Sequence, residues 1–208
     1  MAVILDLQQA SAALDLNERL RAAPRSARIR GIWFKMTTDA LRRRGPAVAV
    51  PFQNAGGGAS RWAFLLYDAR EYLAEAALAA ALLDPTDPRE GLRAIWRNAA
   101  GYSSVLHPGS FLHLLKPDPM VALRWLVRHR DHFATYGAWR LEERSPEHAV
   151  MHIEDELIWI DSAHRGGAEG LLKASGVHGT VQVELRDRYS GRLHLRWERT
   201  SQRRDQPE

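Results

Sequence analysis

The residues of this 208-residue chain whose types and spacing could do chemistry are its paired histidines, a run of three acids and a set of tryptophans. His129 and His132 stand three apart in a stretch that reads as helix, a separation that lets two imidazoles share one metal ion. Arg130 and Asp131 lie between them, the face reads as solvated, and a neighbouring guanidinium opposes a dication. Surface charge is the expectation there. His148 and His152 are four apart, but on a strand that separation spans about 13 Å, too far to chelate. His107 and His113 flank a helix break and are expected to cap or to bond carbonyls. Glu154-Asp155-Glu156 ends a strand, and three adjacent acids could hold magnesium or exchange protons. Alternation sends Glu154 and Glu156 to one side and Asp155 to the other, so a charged strand end is expected. A serine nucleophile needs a base and an oxyanion hole. No Gly-x-Ser-x-Gly occurs, and His107 near Ser103-Ser104 is a poor substitute. Cysteine is absent, which excludes disulfides, thiolate zinc sites and a cysteine nucleophile. No catalytic residue, no metal site and no cofactor is assigned, and the chain is expected not to be an enzyme.

The seven tryptophans are the anomaly. They fall in or beside different elements, where each would bury about 150–250 Å² as core filler. The sharper reading is an apolar pocket between helices and sheet, lined by Trp33, Trp125, Tyr136 and Trp139, because ligand pockets are mostly apolar with few polar groups. Gly56-Gly57-Gly58 would cradle a phosphate only with a strand before it and Gly-Lys-Ser after it. Neither follows here, so a connecting loop is expected.

Composition sets the wider limits. About 45% of residues are apolar and 26% charged, the range of a folded globular domain. The net charge of +4 comes from arginine, with Lys35, Lys116 and Lys173 the three lysines. The basic residues are scattered and not interleaved with aromatics, so nucleic acid is not expected as a partner. The N-terminus lacks a signal-peptide pattern and no window approaches a membrane span, so a cytoplasmic location is expected.

These residues must be positioned by the following elements. Residues 1–25 read as a leader with a short helix ending at Ala22 before Pro24. Ile29, Ile32, Trp33, Met36, Ala40 and Leu41 recur at helical spacing, which predicts a helix over 26–44 with Ser26 as its cap and Gly45-Pro46 as its stop. Residues 47–60 read as a loop. Asp68–Leu83 is an alanine-rich helix with Asp68 as cap and Glu71 as its capping-box partner. Asp87-Pro88 opens a helix to about Ser104, a shorter one follows to about Leu115, and Asp118-Pro119 opens another to about Thr135. At Gly137 the period changes to two: Trp139–Arg144 and Ala149–Glu154 form one hairpin, Val181–Arg186 and Leu193–Glu198 another, with a helix over Ile160–Ala174 between. The last ten residues, 199–208, read as a disordered tail. The class is α+β, a single domain over 26–198 in which a helical layer covers a four-stranded antiparallel sheet of β-β-α-β-β order.

Ala27-Arg28-Ile29-Arg30-Gly31-Ile32-Trp33-Phe34, Tyr67-Asp68-Ala69-Arg70-Glu71-Tyr72-Leu73, Glu90-Gly91-Leu92-Arg93, Tyr136-Gly137-Ala138-Trp139 and Gly166-Gly167-Ala168-Glu169-Gly170-Leu171-Leu172 resemble, in order and spacing, a myxobacterial set of paralogous proteins of unknown function. The resemblance covers about Arg25 to Trp197 and implies no catalytic residues. The topology is similar to the scaffold of 4-vinyl reductase domains, of TRAPP vesicle-tethering subunits and of haem nitric-oxide-binding domains. That scaffold implies either a ligand held between helices and sheet, or a surface used to dimerise and assemble. Haem-binding members need an axial histidine and a Tyr-x-Ser-x-Arg propionate clasp. The string noted for it, Tyr189-Ser190-Gly191-Arg192, has the wrong spacing, so haem is not expected. The resemblance thus implies a 4-vinyl-reductase-like, non-catalytic module that binds a small apolar ligand, a protein partner or itself as a homodimer. The alternative is an uncharacterised enzyme or metal-binding protein using the histidines and acids.

Overall fold

The computed structural model describes residues 11–98 and 118–198. Ser103, Ser104, His107, His113, the short helix expected to end near Leu115 and the expected tail lie outside the described residues. Helix α1 (Leu16–Ala22) stops where expected, before Pro24. Arg19 fixes it to the body: its Nη1 donates to the Leu157 carbonyl (2.9 Å) and its Nη2 to that of Arg188 (3.0 Å), with the guanidinium 5.0 Å from the Trp159 ring.

The helix expected from Ser26 begins at Gly31. Strand β1 (Arg28–Arg30) precedes it and pairs antiparallel with β2 (Leu66–Asp68), Ile29 standing opposite Tyr67. Backbone partners decide this. The Arg30 N–H donates to Phe133 O (2.9 Å) and Arg28 O accepts from the Thr135 N–H (3.0 Å), bonds a helix would forfeit. Helix α2 (Gly31–Arg44) then runs to Gly45, whose φ of 102° ends it. The expected loop is helical in its first half: α3 (Pro46–Asn54) starts with proline in its first turn and sinks Phe52 into the core.

Helix α4 (Ala69–Leu83) is capped by Asp68, whose carboxylate accepts from the Arg70 N–H. Glu71 does not complete a capping box, because it pairs with Arg61 at 2.9 Å. Asp87 accepts from the Arg89 and Glu90 N–H groups and starts α5 (Pro88–Arg97), which ends well short of Ser104. Asp118 caps α6 (Pro119–Arg128) in the same way, and a tight turn over Arg130–His132 replaces the helix expected to reach Thr135.

The C-terminal part holds the sheet. Strands β3 (Ala138–Ser145), β4 (His148–Glu154), β5 (His178–Leu185) and β6 (Gly191–Glu198) pair antiparallel in the order β3-β4-β6-β5. Between the hairpins, a wide π turn over Ile160–His164 leads into α7 (Arg165–Ala174), so the helix expected from Ile160 is regular only from Arg165. Inward residues Met151, Ile153, Val181, Leu193, Leu195 and Trp197 are buried with Met120 and Leu123 of α6 and Leu171 and Leu172 of α7, and Trp139 and Val183 pack against them. The outer face carries charged and imidazole side chains, among them His152 bonded to Glu142 (2.9 Å). A second core, formed by α1 to α5 with residues 157–159, lies beside the first.

The helices approach closely where side chains are missing. A Cβ on Gly166 would lie 2.3 Å from the Arg93 carbonyl oxygen and one on Gly170 2.1 Å from that of Arg97. Helices α5 and α7 therefore touch backbone to backbone, which only glycine permits.

Candidate functional site

Where the two cores meet, side chains from six segments form a buried ring of polar and aromatic groups. Its centre is Glu156, 2% exposed. Strand alternation predicts it on the same side as Glu154, but Asp155 adopts φ 51°, the left-handed region, and the alternation breaks there. Glu154 stays exposed while Glu156 turns inward, its N–H donating to Tyr189 O at 2.8 Å. The three acids do not converge. Trp139 Nε1 donates to Glu156 Oε2 (3.0 Å), the Ile158 N–H donates to Oε1 (3.1 Å), and His164 Nε2 lies 3.4 Å from Oε2. Burial pushes this carboxyl up, but His164, the Ile158 N–H and the Arg130 guanidinium outweigh it and hold it below its ordinary value.

Aromatic contacts close the ring. Trp33 stacks on Trp96 at 4.6 Å, Trp96 lies 5.3 Å from His164, and Trp139 meets the other side of that imidazole edge-on at 5.2 Å. The buried Arg130 guanidinium sits 5.7 Å from the Tyr136 ring and 5.9 Å from that of Trp139, and its Nη1 donates to Ala134 O. Tyr72, from α4, is buried beside Thr37 and Trp96, and burial raises both its phenol and that of Tyr136 far above the ordinary range. Both hydroxyls are therefore neutral donors at physiological pH.

Three buried polar atoms of this ring, Arg130 Nε and Nη2 and Tyr136 Oη, have no hydrogen-bond partner among the described residues, whereas Tyr72 Oη lies near Thr37 and Trp96 and His164 Nε2 near Glu156. Folded domains leave few such atoms, because each costs about 1–3 kcal/mol. Guanidinium groups only donate, whereas a phenol both donates and accepts, so the unused donors of the ring are chiefly those of Arg130.

Of the four residues expected from sequence, Tyr136 and Trp139 belong to this ring. Trp33 adjoins it through Trp96. Trp125 is further out, linked through Phe133, which lies 6.1 Å from Trp125 and 5.6 Å from Trp33. Sequence reasoning missed Tyr72, Trp96, Arg130, Glu156 and His164. A buried acid flanked by Leu157-Ile158-Trp159 was the available signal for Glu156. His129 stacks on Trp125 at 4.7 Å with its Nδ1 2.8 Å from Trp125 O, and His132 lies 5.4 Å from it ring to ring. Among the described residues no group of three histidine or acid side chains is placed to hold a metal ion.

Comparison with solved structures places the fold. The chain is similar to an Fe(II) unliganded H-NOX protein from K. algicida, with a TM-score of 0.62, 15% identity, and coverage of 83% of this chain and 98% of that one. It is also similar to an oxygen-binding H-NOX domain related to soluble guanylate cyclases, with a TM-score of 0.61, 14% identity, and coverage of 81% and 93%. An H-NOX domain from T. tengcongensis matches with a TM-score of 0.55 at 16% identity, covering 82% and 98%. At these identities the likeness establishes the fold alone. No curated protein shows significant similarity.

The H-NOX fold implies haem, and the described residues do not make a haem site. His164 is closed in by Trp96, Trp139 and Glu156 rather than facing a gap of porphyrin size. Tyr136 and Arg140 do stand at the clasp spacing, a match overlooked in favour of Tyr189, but Ala138 replaces the serine between them. Tyr136 is buried and Arg140 exposed. Residues 23–198 match the model of a family described as protein of unknown function (DUF2378), and the chain belongs to that family.

Proposed function

We propose that this domain is a non-catalytic ligand-binding module whose ligand is held between the helical layer and the sheet. One observation carries the reading: beside Glu156, the buried Arg130 guanidinium and Tyr136 hydroxyl have three polar atoms without a hydrogen-bond partner among the described residues. An acceptor oxygen placed there would accept from Arg130 and Tyr136. Trp33, Trp125 and Trp139 are partly exposed and would carry the apolar remainder of a small molecule. The ligand is thus a small, mainly apolar compound with a carbonyl-type or ether-type end. The neighbours named as H-NOX domains support a sensor role by likeness of fold. Kinship with 4-vinyl reductase domains and TRAPP subunits rests on the shared β-β-α-β-β order and is part of the same proposal.

Native mass spectrometry of the purified chain tests it. The expected result is a retained small organic mass that is lost in Tyr136→Phe, which removes a donor and keeps the ring. A protein carrying water alone, with a high-resolution crystal structure showing ordered water on the Arg130 and Tyr136 atoms, would overturn the reading. The same spectra report subunit count, and a homodimer is expected.

A further inference from the structure

Residues 62–66, Trp62-Ala63-Phe64-Leu65-Leu66, are the most apolar exposed stretch among the described residues. Trp62 is 77% exposed, Leu65 56%, Phe64 52% and Leu66 43%. Single exposed apolar residues are ordinary, but four large ones within five positions are not.

The stretch is held in place. Its backbone is tied down while its side chains are left out. The Gly31 N–H donates to Leu65 O (2.9 Å) and the Ile32 N–H to Ala63 O (3.0 Å). The Trp62 N–H donates to Tyr67 Oη (2.8 Å), and Arg30 Nη1 donates to Phe64 O. On one side Arg61 is clamped by Glu71 (2.9 Å) and Glu75 (3.0 Å) and lies 3.8 Å over the Phe34 ring. On the other, β2 is paired with β1. The body of the protein thus presents a pre-ordered apolar tip, so docking it costs little ordering entropy.

Its collar is basic. Arg28 and Arg30 hydrogen-bond only to carbonyl oxygens: Arg28 to those of Arg25 and Ala27, and Arg30 to those of His132 and Phe64. Arg25 is exposed beside them. The acid on this ribbon, Asp68, is already bonded to Arg70 (3.0 Å). Arg30 thus bonds the tip itself, while Arg28, opposite Asp68, and Arg25 continue the basic edge along the same ribbon, and none of the three forms an ion pair within 4 Å among the described residues.

We propose that this tip docks onto an anionic lipid surface, with Trp62, Phe64 and Leu65 entering the headgroup boundary and Arg25, Arg28 and Arg30 facing lipid phosphates and carboxylates. An apolar tip with a basic rim is the composition that interfacial anchors need. A second copy fits less well. A two-fold contact would bring the arginine collars towards each other. Four side chains, two of them about half exposed, also fall short of the roughly 800 Å² per partner that a stable interface buries.

Flotation of the full chain with vesicles tests this, using phosphatidylcholine alone and phosphatidylcholine containing phosphatidylserine. The expected result is binding to the phosphatidylserine vesicles, weakened by raising salt. Trp62→Ser with Phe64→Ser should lower partitioning by about tenfold or more, the scale of losing two partly buried aromatics. Arg28→Gln should weaken binding to the anionic vesicles only. Leu65→Ser serves as an independent apolar variant, with far-UV circular dichroism checking that each variant is folded. Absence of vesicle binding overturns the proposal, as does equal binding to both vesicle types. A dimer in solution that Trp62→Ser with Phe64→Ser dissolves would assign the tip to a second copy instead.

Discussion

Replacing Glu156 by glutamine keeps the shape of the buried ring and removes its charge. The carboxylate accepts from the Trp139 indole and the Ile158 N–H and lies against His164. Glutamine keeps one acceptor oxygen and puts an NH2 where the other stood. Whichever way the amide faces, one of the two N–H donors meets another donor. Hydrogen bonds to charged groups contribute about 1.5–3 kcal/mol each, and an unsatisfied buried donor costs about 1–3 kcal/mol. A loss of about 2–4 kcal/mol follows. For a domain of this size, where each kcal/mol shifts Tm by about 2–4 °C, the variant should melt roughly 5–15 °C below the parent at pH 7. The pH dependence carries a sign. Glu156 is held below its ordinary value of 4.5, so its stabilisation is complete above that value and disappears as pH falls through the lower, folded-state value. Glu156→Gln lacks this titration, and the gap between the two proteins should narrow under acid. Differential scanning calorimetry from pH 7 to about pH 3 reads both effects. Equal Tm values at neutral pH, or a gap that does not close in acid, would refute the reasoning.

Other predictions rest on separate contacts. Gly170→Ala places a Cβ 2.1 Å from the Arg97 carbonyl oxygen. Forcing α5 and α7 apart should cost about 1–3 kcal/mol, more than the roughly 0.8–1.0 kcal/mol that alanine gains in helix propensity, so the urea midpoint should fall. A raised midpoint sinks the idea of backbone contact. Arg61→Ala strips the cation from Glu75, whose carboxyl burial already raises above its ordinary 4.5. A group raised in this way favours the folded state as it takes up a proton. The variant's stability deficit, about 3 kcal/mol at neutral pH, should therefore shrink as pH falls towards the ordinary carboxylate value of 4.5, and a pH-independent deficit in chemical denaturation would count against the pairing. Asp87→Ala removes the acceptor for two N–H groups of α5 and should cost about 1 kcal/mol, checked by circular dichroism melting.

The hairpins were readable because alternation survives along all four strands, and the Asp-Pro pairs at Asp87 and Asp118 cap helices as their chemistry dictates. The failures have local causes. Arg28-Ile29-Arg30 also fits a helical wheel, and its pairing with Leu66–Asp68 and its bonds to residues 133–135, all remote in sequence, make it a strand. Helix α3 was hidden by Pro51 and the glycines after it, and is anchored by a single buried ring, Phe52. The ring around Glu156 was invisible for a sharper reason. One left-handed residue, Asp155, breaks the two-residue period there, and no periodicity argument survives such a break. The tryptophans at 33 and 139 were visible as an anomaly, whereas Tyr72, Trp96 and His164 looked like ordinary members of helices.

The glycine contact between α5 and α7 has a mechanical meaning. Two helices seated carbonyl against bare Cα have no compliant layer of side chains to shear through, so they move as one slab. The Glu156 ring, joined to that slab through the π turn over Ile160–His164, is therefore mounted on a rigid support.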